Sequence, residues 1–302
     1  MRITNNMLIN NMLNNLNNNL NRMNKYQNQL ATGKKISLPS DDPIVASRAL
    51  KLRTDVAEIQ QYKRNVDDAT SWMEITEKTL GQIGDVMHRV RELAVQSGNE
   101  TNTPDDLDKI RQEMEQLRIQ MIHLANTTYA GRYIFSGYKT DKPLLDENGA
   151  FLMDISNSEQ IHFEIGIGDD ININVTGSDL FNNGTDAAAG EMSGLLDTLN
   201  NIIAALEAGD NGAVGNMLDR IDNDMNNILR VRSGVGARMN RLELTANRLE
   251  DDFINFTTLM SKNEDVDIAE AIMNLMNEEN VYRASLSAGA RVIQPSLVDF
   301  LK

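Results

Sequence analysis

Apolar residues recur in alternating steps of three and four along most of this 302-residue chain, and few folds accommodate such a pattern. The spacing belongs to helices that bury one narrow seam against another helix. In residues 3–32 the seam reads Ile9, Leu13, Leu16, Leu20, Met23 and Leu30, with Gln27 in one slot and an asparagine-rich polar face around it. Asparagine is a mediocre helix former, so this helix depends on a partner. Gly33 suits a C-terminal stop, Pro39 is a second breaker, and Asp42 with Pro43 suits the cap and first position of the next helix.

From Pro43 to Ser97 one seam runs Val45, Ala49, Leu52, Val56 and Ile59, then continues as Val66, Ala69, Met73, Thr76, Leu80, Ile83, Met87, Val90 and Ala94. Thr103-Pro104-Asp105-Asp106 supplies a cap, a first-turn proline and acids that suit the helix dipole. Its helix carries Leu107, Ile110, Met114, Leu117, Met121, Leu124 and Thr128. At Gly131 the period changes to two. Phe151, Met153 and Ile155 alternate, as do Ile161, Phe163, Ile165 and Ile167, then Ile171, Ile173 and Val175, which predicts short antiparallel strands.

Helical spacing returns after Gly190, ends at Gly209, and resumes as one register from Val214 to Met260. A last helix reads Ile268, Ile272, Leu275, Glu279, Tyr282, Leu286, Gly289 and Ile293; Pro295 bends or ends it, and Leu297, Phe300 and Leu301 finish the chain. The expected fold is mainly α, a long coiled-coil-like helical hairpin rod with a small antiparallel β insert at its tip. Three domains are expected: 1–42 with 263–302 as a terminal helical pair, 43–137 with 190–262 as a helical rod, and 138–189 as a β-rich outer domain.

Two terminal helices can cover each other's seam but cannot close a core. Their free apolar surface predicts ends that order on association with further copies or other chains, in rings or helical tubes. Charge adds to this: residues 1–40 carry +5 and residues 261–302 carry −3, so the ends attract weakly.

Chemistry is sparse. The formal charge of −15 argues against a nucleic-acid surface. Without cysteine there are no disulfides, thiolate zinc sites or thiol nucleophiles, and His88, His123 and His162 are scattered. No phosphate loop or H-E-x-x-H occurs, so catalytic residues, cofactors and metals are expected to be none. The mean hydropathy is −0.40 and no stretch approaches the length of an apolar membrane span, so membrane insertion is not expected. The start of the chain lacks the apolar core of a cleavable secretory signal, so any export is expected by another route.

Several segments carry a resemblance. Met1-Arg2-Ile3-Thr4, Gln29 to Ile36, Asn65 to Ala69 and Met87 to Gln96 resemble the N-terminal region of bacterial flagellins, and Ala284 to Ala290 resembles their C-terminal helix. Within that superfamily, Ser37-Leu38-Pro39-Ser40-Asp41-Asp42-Pro43 resembles the hook-associated branch found at the hook–filament junction; flagellins usually have alanine where Pro43 stands. Asn126 to Tyr138, with Gly131, Arg132, Tyr133, Phe135 and Gly137, resembles that branch too, whereas Arg89, Glu92 and Leu93 fit both branches.

The resemblance implies a structural subunit exported unfolded through the flagellar type III apparatus and placed in the extracellular flagellum. Its implied partners are further copies, the first hook-associated protein, flagellin and an export chaperone masking the C-terminal helix. The assembly surface is then expected at Ile9, Leu13, Leu16, Leu20, Met23 and Leu30 against Ile272, Leu275, Tyr282, Leu286, Ile293, Leu297 and Phe300. A filament-forming flagellin is the alternative.

Overall fold

A computed structural model of the chain describes residues 5–98 and 103–292. The readings at Met1–Thr4, Ile293, Pro295, Leu297, Phe300 and Leu301 lie outside the described residues. In chain order the elements are α1 (Asn5–Thr32), α2 (Pro43–Ser97), α3 (Pro104–Ala125), β1 (Thr128–Tyr129), β2 (Arg132–Tyr133), β3 (His162–Gly166), β4 (Asp169–Asn172), α4 (Gly177–Phe181), α5 (Gly194–Ala208), α6 (Asn211–Glu264) and α7 (Ile268–Val292). The fold is mainly α with two antiparallel two-stranded sheets, β1-β2 and β3-β4. Two compact units divide it, Met1–Glu58 with Asp252–Lys302 and Ile59–Asp251, and the division falls inside α2 and inside α6.

Helix ends follow local chemistry. Asp42 Oδ1 accepts the N–H groups of Ile44 and Val45 at 3.0 and 3.1 Å, so the first turn of α2 is capped where Pro43 has no N–H to satisfy. Thr103 caps α3 by accepting the Asp106 N–H at 3.3 Å, and Gly209 ends α5 at φ +69. Gly234 and Gly236 are spanned by one continuous α6.

In the unit Ile59–Asp251, α2 and α6 run antiparallel, marked by ion pairs of Lys63 with Glu250, Glu77 with Arg232 and Arg91 with Asp222. The seam from Val66 to Ala94 is buried at every expected position, Thr76 included. Facing it, Val214, Ile221, Ile228, Val235, Leu242 and Leu249 of α6 are buried. Helix α3 packs on α5, whose Leu195, Leu196, Leu199 and Ile202 are almost fully enclosed.

Four local expectations are corrected. Thr128 is not a seam residue: the helix stops at Ala125, where the Asn126 side chain bonds Leu144 and Leu145, and Thr128 pairs with Tyr133 across a hairpin. Phe151, Met153 and Ile155 are buried as alternation predicts, yet they form no strand: Phe151 and Ile155 sit in isolated bridges with Leu145 and Ala187. Ile167 is 87% exposed because Gly168 at φ +68 turns the chain there, between β3 and β4. The one-turn helix α4, which buries Leu180 and Phe181, lies inside the stretch expected to be β.

Candidate assembly interface

Helices α1 and α7 form an antiparallel pair within the unit Met1–Glu58 with Asp252–Lys302. Arg22 Nε donates to Glu278 Oε1 at 2.9 Å and Asn19 Nδ2 donates to Ser285 Oγ at 3.5 Å. Gly289 lies against Met12, so a Cβ there would collide with the Met12 side chain. Small residues therefore let the helices approach where α7 carries its Ser/Ala/Gly run.

Burial locates the expected contacts that fall among the described residues. Ile9, Leu16, Leu20, Met23 and Leu30 are half-buried on α1, as are Leu275 and Tyr282 on α7. Leu13, Ile272 and Leu286 stay 50%, 41% and 44% exposed, so they do not face the intramolecular partner. The stripe that meets α7 runs through Met12, Leu16, Asn19, Met23, Tyr26 and Leu30, sharing Leu16, Met23 and Leu30 with the expected seam. On α7 the inward stripe is Ala271, Leu275, Glu278, Tyr282, Ser285 and Gly289. Met273 and Met276, both 60% exposed, widen the apolar surface left on α7.

The turns at the ends of these helices are tied together. Lys35 N–H donates to the Glu264 carbonyl at 2.6 Å, Val266 N–H donates to the Gly33 carbonyl at 3.0 Å, and Gly33 takes φ +69 to make the approach. Glu264 is buried there, its carboxylate gripped by Arg53 through two bonds of 2.7 and 2.6 Å, with Lys34 Nζ at 3.3 Å. Lys34 also reaches Asp265 at 2.7 Å. The Arg53 guanidinium first, then the Lys34 ammonium, holds the Glu264 carboxyl below its ordinary range against the opposing cost of burial. Asp265 is lowered chiefly by Lys34, and Lys34 is raised in return.

Nothing in local spacing singles out Arg53, Lys34 and Glu264, since the partners are some two hundred residues apart. The only signal was coarse, the opposite charge of the two chain ends. Arg22 with Glu278 and Lys34 with Asp265 are how that attraction is realised.

The motif residues have definite places. Asp41 Oδ2 accepts the N–H groups of Ser37 and Leu38 at 3.1 and 2.9 Å, which folds the turn through Pro39 and Ser40 and lowers the Asp41 carboxyl. Arg89 bridges Glu113 of α3 and Glu92 of its own helix, while Leu93 is buried beneath. Ala130 and Gly131, at φ +49 and +78, make the tight turn that returns Arg132 and Tyr133 against β1. Phe135 is fully buried edge-on to Phe181 at 6.0 Å, and Gly137 at φ +59 leaves room for Glu159.

Among the described residues no cluster of three or more His, Asp or Glu has the geometry to hold a metal ion, and no helix is long and apolar enough to cross a membrane. A cavity of about 320 Å³ beside the tied turns is walled by Lys25, Tyr26, Asp41, Asp267 and Glu270, a lining of mixed charge unlike the mostly apolar wall of a small-molecule site.

Helical regions from the two ends of one chain, laid antiparallel and joined through a middle segment, define a flagellin-type architecture. Comparison with known families agrees: the bacterial flagellin N-terminal helical region matches residues 3–140 and the C-terminal helical region matches residues 218–301. Flagellar hook-associated protein 3 of Escherichia coli (strain K12) is 32% identical over 282 residues, 87% of this chain and 88% of that protein. Its counterpart in Salmonella typhimurium is 29% identical over 94% of this chain and 95% of that one. The crystal structure of Bacillus cereus FlgL superposes with a TM-score of 0.60 at 24% identity, covering 70% of this chain and 99% of that chain, which is a likeness of fold. The chain belongs to the flagellar hook-associated protein 3 family.

Proposed function

We propose that this chain is a structural subunit of the hook–filament junction of a bacterial flagellum, and that its α1–α7 pair is the assembly surface. One observation carries the reading: after α1 and α7 have paired, apolar side chains on both remain uncovered, Leu13, Ile272, Met276 and Leu286 among them. A lone molecule gains nothing from keeping that surface wet, whereas a lattice of neighbours removes it from water. In this reading 1–42 with 263–302 forms an inner tube, 43–137 with 190–262 surrounds it, and 138–189 faces outward.

The partners that go with this role are further copies, the first hook-associated protein on the hook side and flagellin on the filament side. Passage through the flagellar type III apparatus fits the lack of any disulfide to form, and a chaperone that covers α7 would keep Met273, Met276 and Leu286 from aggregating before assembly. The work is mechanical, with no reaction assigned to any residue.

Leu286→Asp tests the surface. It adds a charge at an already exposed position, so the unit Ile59–Asp251 should keep its melting transition while incorporation into flagella is lost. Normal flagella carrying that variant would refute the assignment. Deletion of the gene separates the junction from the filament reading: shed flagellin with intact hooks marks a junction subunit, and absence of all filament protein marks a flagellin.

A further inference from the structure

Ile171-Asn172-Ile173-Asn174-Val175-Thr176, the end of β4 and its continuation, is an uncharged window without proline and rich in β-branched residues. A window of that kind pairs readily with another copy of itself when its edge is open. Ile171 stands opposite Phe163, and the Ile173 N–H donates to the Ile161 carbonyl at 3.0 Å, so both residues turn their backbone groups toward β3. Those groups alternate in direction along a strand, so Asp170, Asn172 and Asn174 present theirs on the outer edge. Among the described residues no third strand meets that edge.

Arginines of α6 stand where a strand would. Arg238 donates Nη1 to the Asn172 and Asn174 carbonyls, each at 3.1 Å, and Nε to the Gly234 carbonyl at 3.2 Å. Arg241 Nη2 donates to the Asp170 carbonyl at 3.2 Å and also pairs with Asp169. The outer edge of β3 is met from α2 in the same way, where Asn65 Nδ2 donates to the Glu164 carbonyl at 2.7 Å. Arg238 is half-buried, burial lowers its guanidinium, and the Asp179 charge acts the other way. A cation meant only for the surface would stay in water, whereas a planar fork of donors suits a row of carbonyls.

From the register, the donors and the composition of the window we infer that Arg238 and Arg241 are edge caps, which keep the same strand of a second copy from adding to β4. Such a contact is one the subunit avoids, so the caps are independent of the assembly surface proposed for α1 and α7.

Arg238→Met with Arg241→Met keeps the apolar stems and removes the donors. In sedimentation velocity of the full chain this pair should raise the associated fraction roughly tenfold or more over the unchanged chain. Arg230→Met with Arg248→Met takes the same two charges from the same helix, but from the carboxylates of Asp179 and Asp169, and should leave that fraction unchanged. The chain has no cysteine, so an introduced thiol reports without background. In the Arg238→Met, Arg241→Met chain a short bis-maleimide should link Asp170→Cys into a species of twice the chain mass. Glu147→Cys, exposed but off the edge, should link no more than in the otherwise unchanged chain.

Asn172→Pro separates edge pairing from unfolding, because it removes an outward N–H and blocks the edge without restoring either cap. Added to the Met pair, it should return the associated fraction to within about threefold of the unchanged chain. Association that survives the proline, a Met pair that associates no more than the unchanged chain, equal association in the Arg230→Met, Arg248→Met control, or equal linkage from Glu147→Cys overturns the inference.

Discussion

Leu80 on α2 and Leu16 on α1 fill equivalent slots in the same three-and-four repeat, yet Leu80 is wholly buried and Leu16 is half in water. The difference lies in what surrounds each helix. In the unit Ile59–Asp251, α2 faces α6, while α3 and α5 supply a second packed pair, so the seam from Val66 to Ala94 has neighbours enough to be dry. In the other unit the main partner of α1 is α7, and a two-helix pair encloses little beyond the line along which the helices touch. One pattern thus yields a core in one place and a partly wet surface in the other, which makes coverage rather than periodicity the quantity that separates them.

The largest expected effect breaks the comparison most directly. Leu80→Ala should cost about 2–5 kcal/mol, since it removes buried methyl groups and leaves a cavity. Leu16→Ala should cost about 1 kcal/mol or less, because solvent already reaches the site and can fill the gap. Chemical denaturation of the full-length chain, followed by probes in each unit, measures both; equal losses would mean that the α1 seam is as enclosed as that of α2.

The tied turns come next. Arg53→Ala removes the bidentate partner of a buried carboxylate, a change that costs about 3–5 kcal/mol where both partners are enclosed. Arg53 is more than half exposed and Lys34 remains beside Glu264, so solvent screening and the second cation reduce the expected loss to about 1–2 kcal/mol. The loss should appear in the transition of Met1–Glu58 with Asp252–Lys302 and leave the other unit unmoved. A shift in both transitions would refute this local assignment.

The smallest effect sharpens the contrast through its sign. Glu264 and Asp265 have carboxyls lowered in the folded chain, so the unfolded chain takes up protons first as pH falls. Their contribution is complete above the ordinary carboxylate range near 4.5 and 3.8 and is lost as pH drops through the lowered folded values. Asp224, on α6 in the other unit, behaves oppositely. Burial raises its carboxyl although the Asn183 amide and Thr198 hydroxyl donate to it at 3.2 and 3.1 Å. There the folded state binds its proton first, so stability falls as pH rises from 3.8 through the raised value. Acid should therefore weaken the tied turns while relieving Asp224, and Asp224→Asn should flatten the pH dependence of that second unit alone. A pH series of melts that moves both units in one direction would contradict the assignment.

Much of this molecule could be read from residue order. The caps at Asp42 and Thr103, the stops at Gly33 and Gly209, and the change of period near Gly131 are local events, decided by hydrogen bonds and dihedral limits within a few residues. The seams of α2 and α6 were legible for a related reason, because apolar side chains at fixed spacing have one way to leave water. What escaped was short or distant. Helix α4 has too few residues for a period to show, and Ile167 belongs to a hydrophobic alternation that a glycine turn interrupts. The α7-facing stripe of α1 shares Leu16, Met23 and Leu30 with the seam read from spacing and adds Met12, Asn19 and Tyr26, two of which carry no purely apolar signal.

The sequence alone determined where α2 and α3 begin and where α1 and α5 end, which faces of the long helices are apolar, and that both chain ends carry a seam; propensity and periodicity are properties of neighbours along the chain. Tertiary structure alone decided that Arg53 and Lys34 would meet Glu264, that the seam near Leu80 would be sealed, and that Leu286 would be left facing water. Those outcomes depend on how many elements converge on one place, and residue spacing along a single helix carries no record of how many others will arrive.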